Sequence, residues 1–97
     1  MGKIDQLNKA FESRVRLGIM SMLMVNDWVD YKNIKGHLDL TDGNLASHAA
    51  GLEKLNYVKI KKGFIGKKTN TSYQITELGR QAFNAHLNAL EKLLGGL

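Results

Sequence analysis

Neither cysteine nor proline occurs in the 97 residues of this chain. Without thiols there is no disulfide framework, no thiolate metal site and no thiol redox sensing. Without proline, every turn depends on Gly, Asn, Asp and Thr. Long apolar runs are missing as well. The longest, Leu17 to Val25, is broken by Gly18 and Ser21 and falls far short of the ~20 residues that cross a bilayer. The N-terminal stretch carries Asp5, Asn8 and Glu12 among its apolar residues and has no signal-peptide character, so a cytoplasmic protein with no membrane partner is expected. Catalytic sets are absent too: there is no nucleophile–base pair, no glycine-rich phosphate loop and no paired-carboxylate pattern. His37 and His86 have no carboxylate near them at ligand spacing, which argues against zinc. The chain is therefore expected to be no enzyme and to hold no metal or cofactor.

Acid is in deficit: 14 Lys and Arg stand against 9 Asp and Glu, for a net charge of +5. A basic excess on a small protein favours polyanionic partners. The 43% of hydrophobic residues run through the whole length, and a chain of this size buries about two thirds of its unfolded surface, enough for one core. No linker, repeat or low-complexity tract interrupts it, so residues 1–97 are expected to form a single domain.

Ile4, Leu7 and Phe11, then Val15, Gly18, Ile19, Met22 and Leu23, recur at helical spacing. Ser13 is suited to cap a new helix start, so a kink is expected between Phe11 and Arg14. Asn26-Asp27 ends this region, and Trp28-Val29 forms a short extended piece. Asp30 is the expected N-cap of a second helix with Tyr31, Ile34 and Leu38 inward. After a tight Asp39-Leu40-Thr41 connection, Thr41 caps a third helix, about 41–55, whose inward face is Leu45, Ala49, Leu52 and Leu55. Asn56 is suited to the left-handed conformation that ends helices. Tyr57 to Lys61 alternates as a strand, residues 65–70 read as a polar loop, and residues 71–75 alternate again to close a hairpin. Thr76 caps a last helix reaching about Leu94, and Gly95-Gly96 reads as a frayed tail. Two short helices with a tight turn, then a basic hairpin, make a winged helix-turn-helix: mainly α with a β-hairpin, the wing at about 58–76 and the C-terminal helix at about 77–94.

Between Lys54 and Thr76 there are six lysines and no acid. Lysines clustered with one sign of charge beside a small, polar helix face suit phosphate contact, with binding that weakens steeply in salt. The third helix presents Asn44, Ser47 and His48, short polar groups able to reach base edges in a major groove. Gly43 and Gly51 thin the same surface, and Thr41 lies at its edge. Lys54, Lys61, Lys67, Lys68, Asn70 and Thr71 complete the expected DNA contacts. On the last helix Phe83, Leu87, Leu90, Leu94 and Leu97 form a heptad seam. With Leu7, they are expected to make a homodimer.

The stretches Leu40-Thr41-Asp42-Gly43-Asn44-Leu45, Leu52-Glu53-Lys54-Leu55-Asn56-Tyr57-Val58 and Thr71 through Arg80 resemble the small MarR-like winged-helix transcriptional regulators of bacteria and archaea. The opening Ser13-Arg14-Val15-Arg16-Leu17 is also similar to the start of that domain and to ArsR-type repressors. The resemblance covers about residues 3–94. It implies a homodimer, a recognition helix at 41–55 carrying Asn44, Ser47, His48 and Lys54, and a wing carrying Lys67, Lys68, Asn70 and Thr71 whose tip enters the minor groove. Two positions depart from the pattern: Asn56 stands where glycine is usual, and Lys67-Lys68 where arginine is common. The function expected is a sequence-specific duplex-DNA-binding transcriptional repressor, acting as a dimer on a pseudo-palindromic site, with room for a small-molecule effector. The alternative is a winged-helix module that docks on another protein without reading DNA.

Overall fold

The computed structural model describes residues 3–95. Its first segment is not an α-helix. Two 3₁₀ turns, Lys3–Gln6 and Lys9–Phe11, flank Asn8, whose backbone N–H donates to Nδ1 of His86 at 3.0 Å instead of to a preceding carbonyl. The Asn8 side chain then accepts from Ala10 N–H at 2.9 Å and restarts the chain. These turns deliver Phe11 to the core, where its ring meets Tyr57, Phe83 and His86 at 5.5, 5.2 and 5.4 Å between centroids.

Ser13 caps α1 (Arg14–Met24) by accepting from Arg16 N–H at 3.3 Å. The short strand β1 (Val29–Asp30) leads directly into α2 (Tyr31–Leu38). Asp30 holds the N-cap position without a side-chain cap bond; its carboxylate instead accepts the Ser72 hydroxyl at 2.9 Å and ties β1 to β3. Asp39, at φ 53°, turns the chain out of α2. Thr41 then caps α3 (Asp42–Lys54), its hydroxyl accepting from Asn44 N–H at 3.1 Å.

Asn56, at φ 64°, ends α3, and Tyr57 N–H returns to Leu52 C=O at 3.0 Å. This is the six-to-one bond of a Schellman motif, here with asparagine in the left-handed position. Strands β2 (Val58–Ile65) and β3 (Lys68–Ile75) pair antiparallel, and the sheet order is β1-β3-β2. The polar loop expected over residues 65–70 shrinks to Gly66-Lys67, because Ile65 pairs with Lys68 and the ladder continues through Thr69 and Asn70. Gly66, at φ 64°, supplies the positive dihedral that a two-residue hairpin needs at its first turn position.

Thr76 opens α4 (Glu77–Gly95), accepting from Gly79 N–H at 2.8 Å while donating to Asn56 C=O at 2.6 Å. Gly79 is required there: a Cβ would stand 2.1 Å from the Tyr57 carbonyl oxygen. The start of α4 is thus pressed against the turn that links α3 to the hairpin. Arg80 donates to Met24 C=O at 3.1 Å and closes the end of α1.

The core gathers Phe11, Ile19, Met20, Leu23, Ile34, Leu45, Ala49, Leu52, Val58, Tyr73 and Phe83. Phe83 is therefore withdrawn from the expected dimer seam, because α4 turns it inward onto Phe11. Leu7 is half-buried in a segment that packs along α4 of its own chain. Leu87, Leu90 and Leu94 remain exposed. Gly95 is the last helical residue, whereas Leu97 of the seam and Gly96 of the tail lie outside the described residues. Among the described residues, no helix is long and apolar enough to cross a membrane.

Candidate nucleic-acid interface

Helix α3 buries Leu45, Ala49 and Leu52 and leaves Gly43, Asn44, Ala46, Ser47, Ala50 and Lys54 exposed. The outward surface is thin because most of these side chains are small, so a groove wall can approach the helix backbone. Side chains at the α2–α3 corner fix its direction. The Tyr31 hydroxyl donates to the Asp42 carboxylate, which also pairs with Lys35 Nζ at 2.8 Å. Hydrogen bonds from Lys35 and Tyr31 hold the Asp42 pKa below the ordinary carboxylate value. The same bond to Asp42 raises the Tyr31 pKa above that of a free phenol. Negative charge at the first turn of α3 also complements the helix dipole.

The hairpin lies beside this helix. A cleft of about 600 Å³ runs between them, lined by Ala46, Ala50 and Glu53 of α3 and by Ile60, Lys62 and Thr71 of the sheet, with Tyr31 and Tyr73 at its floor. Burial pushes the Tyr73 phenol pKa up, and the ring serves as packing surface. The alanine side of α3 and Lys62 of the ribbon therefore border one concave surface, whereas Asn44, Ser47 and His48 do not line it: Asn44 borders a depression against α1 and the α2–α3 turn, and His48 faces Arg16.

Over residues 15–94 the sequence matches the winged helix DNA-binding domain family. The chain belongs to this family. It is 35% identical over 85 residues to an uncharacterized protein of Methanocaldococcus jannaschii, covering 88% of this chain and 92% of that one. Its fold superposes on a transcriptional regulator homologue from Pyrococcus horikoshii OT3 with a TM-score of 0.81 and 31% identity, covering 99% and 97% of the two chains. AbfR in its disulfide form resembles it in fold, with a TM-score of 0.67 and 20% identity over 88% of this chain and 60% of that one.

Within the winged helix, strand alternation sorts the lysines. Ile60, Lys62 and Phe64 share the cleft side of β2, opposite Tyr73, Thr71 and Thr69 of β3. Lys59 and Lys61 point the other way, and the Lys61 ammonium sits 4.3 Å above the Trp28 ring as a cation–π pair. Lys61 is thus turned from the cleft and engaged by Trp28. Lys62, which was not among the expected contacts, lies beside α3, and Thr71 lines the same cleft. A one-residue difference in strand register decides which lysine faces α3.

Asn70 lies on the Lys61 side and donates to the Ser72 hydroxyl at 3.2 Å, extending the link to Asp30. Its amide therefore braces the sheet. Lys67 occupies the turn and Lys68 the first position of β3, both exposed. Thr41 has its hydroxyl engaged in capping, and the half-buried His48 is contacted by Arg16 of α1. Sequence reasoning also missed the wing tip, where Phe64 and Ile65 are 74% and 65% exposed. Their apolar character and closeness to Gly66 were visible, but a strand reaching to Ile65 was not expected. Among the described residues, no group of His, Asp and Glu is arranged to hold a metal ion.

Proposed function

We propose that this winged helix protein is a cytoplasmic, MarR-like transcriptional repressor that binds a pseudo-palindromic duplex site as a homodimer. The observation that carries the reading is the shared cleft, which lets α3 and the hairpin address one double helix. In this reading α3 enters a major groove, Asn44, Ser47 and His48 read base edges, and the hairpin follows the phosphates into the neighbouring minor groove. Asparagine suits bidentate bonding to adenine, and serine suits several acceptors and donors. Lys54, Lys62, Lys67 and Lys68 neutralise phosphates; Lys61 supports this only at long range, through its charge.

The proposed dimer joins through Leu87, Leu90 and Leu94, whose exposure on α4 leaves an apolar strip open to a second copy. A two-fold pair would set the two α3 helices about 34 Å apart, one turn of duplex. Occupation of a promoter then excludes polymerase, which is repression in its simplest physical form. The absence of cysteine rules out a thiol switch for this chain.

The test is a salt titration on a random duplex, comparing the wild type with a Lys62→Ala/Lys67→Ala/Lys68→Ala variant. Each lost phosphate contact should lower the slope of log K against log salt by about 0.9. The triple variant should therefore bind every duplex more weakly, with a visibly shallower slope. Salt-independent binding, or no binding to any duplex, would instead favour a protein-docking module. Sedimentation of Leu87→Glu/Leu90→Glu should show a shift to monomer if α4 forms the dimer.

A further inference from the structure

Arg16, on the first turn of α1, reaches across to α3, where its Nε–H donates to Nδ1 of His48 at 3.1 Å. The rest of the guanidinium lies over Gly51, one turn further along α3. A Cβ at position 51 would stand 2.4 Å from one terminal guanidinium nitrogen and 3.1 Å from its central carbon. Gly51 was expected to thin the surface for DNA; instead it makes the seat that brings Arg16 within reach of the imidazole. The open position is Gly43, around which a Cβ would meet nothing within 4 Å.

We propose that Arg16 is a positioning residue for base readout, which fixes His48 as a hydrogen-bond donor through Nε2. An arginine side chain has only donors, so the nitrogen that faces it must present its lone pair. In a neutral imidazole the proton is then on the other nitrogen, Nε2, on the far side of the ring. A donor in that place matches guanine N7 or O6, adenine N7 or thymine O4, and meets the amino group of cytosine donor to donor. Arg16 thereby selects which base edges His48 accepts without touching a base itself. The inference rests on the assignment of α3 as the reading helix.

Two measurements separate the inference from that assignment. The first is ¹⁵N NMR of the imidazole in the free protein, which requires no DNA. The wild type should show an unprotonated Nδ1 and a protonated Nε2, and Arg16→Ala should show a mixture of tautomers. The second is binding to duplexes in which each base pair of the selected site is varied in turn. His48→Ala should lose about fivefold preference at one position, the low end of what a base contact contributes. Arg16→Ala should lose the same preference at the same position, and the double variant should lose no more than either alone.

Arg16→Lys keeps a donor and should restore part of the effect. Gly51→Ala displaces the guanidinium while improving helix propensity, so it should fold at least as well as wild type yet lose preference at that position. A wild-type ring protonated on Nδ1, or an Arg16→Ala variant that weakens all duplexes equally, overturns the proposal. The proposed tautomer combined with no preference that depends on His48 overturns the placement of His48 against bases.

Discussion

Helix α3 and the β2–β3 hairpin border the same cleft, yet they are held there by different means. Three core side chains, a threonine cap, a Schellman turn and the Tyr31–Asp42–Lys35 cluster grip α3 from both ends and from below. The hairpin beyond Lys61 is fixed by its own backbone ladder, and its tip shows Phe64 and Ile65 to solvent. A direction-dependent hydrogen bond to a base fails if its donor moves by an ångström, whereas attraction between lysine and phosphate tolerates such motion. Under the proposed function the two parts would suit two tasks: α3, held at both ends, for reading bases, and the hairpin, held by its own ladder, for contacting phosphates.

Substitutions that act on one part and spare the other sharpen this comparison. Leu45 is fully buried beneath α3, and Leu45→Ala should cost about 2–5 kcal/mol by denaturant unfolding. Phe64→Ala at the exposed wing tip should change stability by no more than about 0.5 kcal/mol. Equal costs would mean that the hairpin is anchored as firmly as the helix. Next in size is readout. Asn44→Ala should remove about 1–3 kcal/mol of discrimination at one base pair in a competition assay. Lys67→Ala should change affinity without altering base preference.

A smaller effect is expected at the cap. Thr41→Ala leaves Asn44 N–H without its partner and should destabilise the fold by about 1 kcal/mol, read as a lower denaturation midpoint. Thr69→Ala, on the exposed ribbon, has no such bond to lose. The smallest expected effect depends on pH. Because the Asp42 pKa is lowered in the folded state by Lys35 and Tyr31, its contribution is full above the ordinary carboxylate pKa. It is lost as pH falls through the lowered value. Acid unfolding of Asp42→Asn should therefore show a shallower loss of stability than wild type over that range. Tyr31 has the opposite sign: its raised pKa means that the clasp weakens as pH climbs above the ordinary phenol value.

Much of this arrangement was legible in the sequence because it is written in local chemistry. Ser13, Thr41 and Thr76 are caps, and Asn56 takes the left-handed turn, since each acts on backbone groups only a few residues away. The face of α3 follows from the spacing of Leu45, Ala49 and Leu52, although Leu55, expected on the same face, is exposed at the C-cap. What escaped are contacts made at long range. Asn8 is bound to His86 across 78 positions, at the break between the two 3₁₀ turns that replace a continuous helix in the first segment. Asp30 exchanges its expected capping role for Ser72, 42 positions away. Phe83 has the period of a seam, but Phe11 covers it, and no local pattern announces that partner. The length of the ladder escaped as well: the loop expected over residues 65–70 is only Gly66-Lys67, whereas the side of Lys62 follows from the same alternation that places Ile60. The family match then names DNA as the ligand for this class of domain, while the roles of individual side chains are proposed from geometry.

The absence of cysteine makes the most direct test simple, since single thiols introduced at Ser47 and Lys67 are unique in the chain. A DNA-cleaving iron chelate attached to each, with exposed Gln81 of α4 as a control, reports which groove each residue approaches. Ser47→Cys should direct cutting within a major groove and Lys67→Cys within the adjoining minor groove of the same site, with little cutting from Gln81→Cys. Cutting from Gln81→Cys alone, or cutting from Ser47→Cys and Lys67→Cys at sites that never neighbour one another, would contradict a single duplex held by helix and wing together.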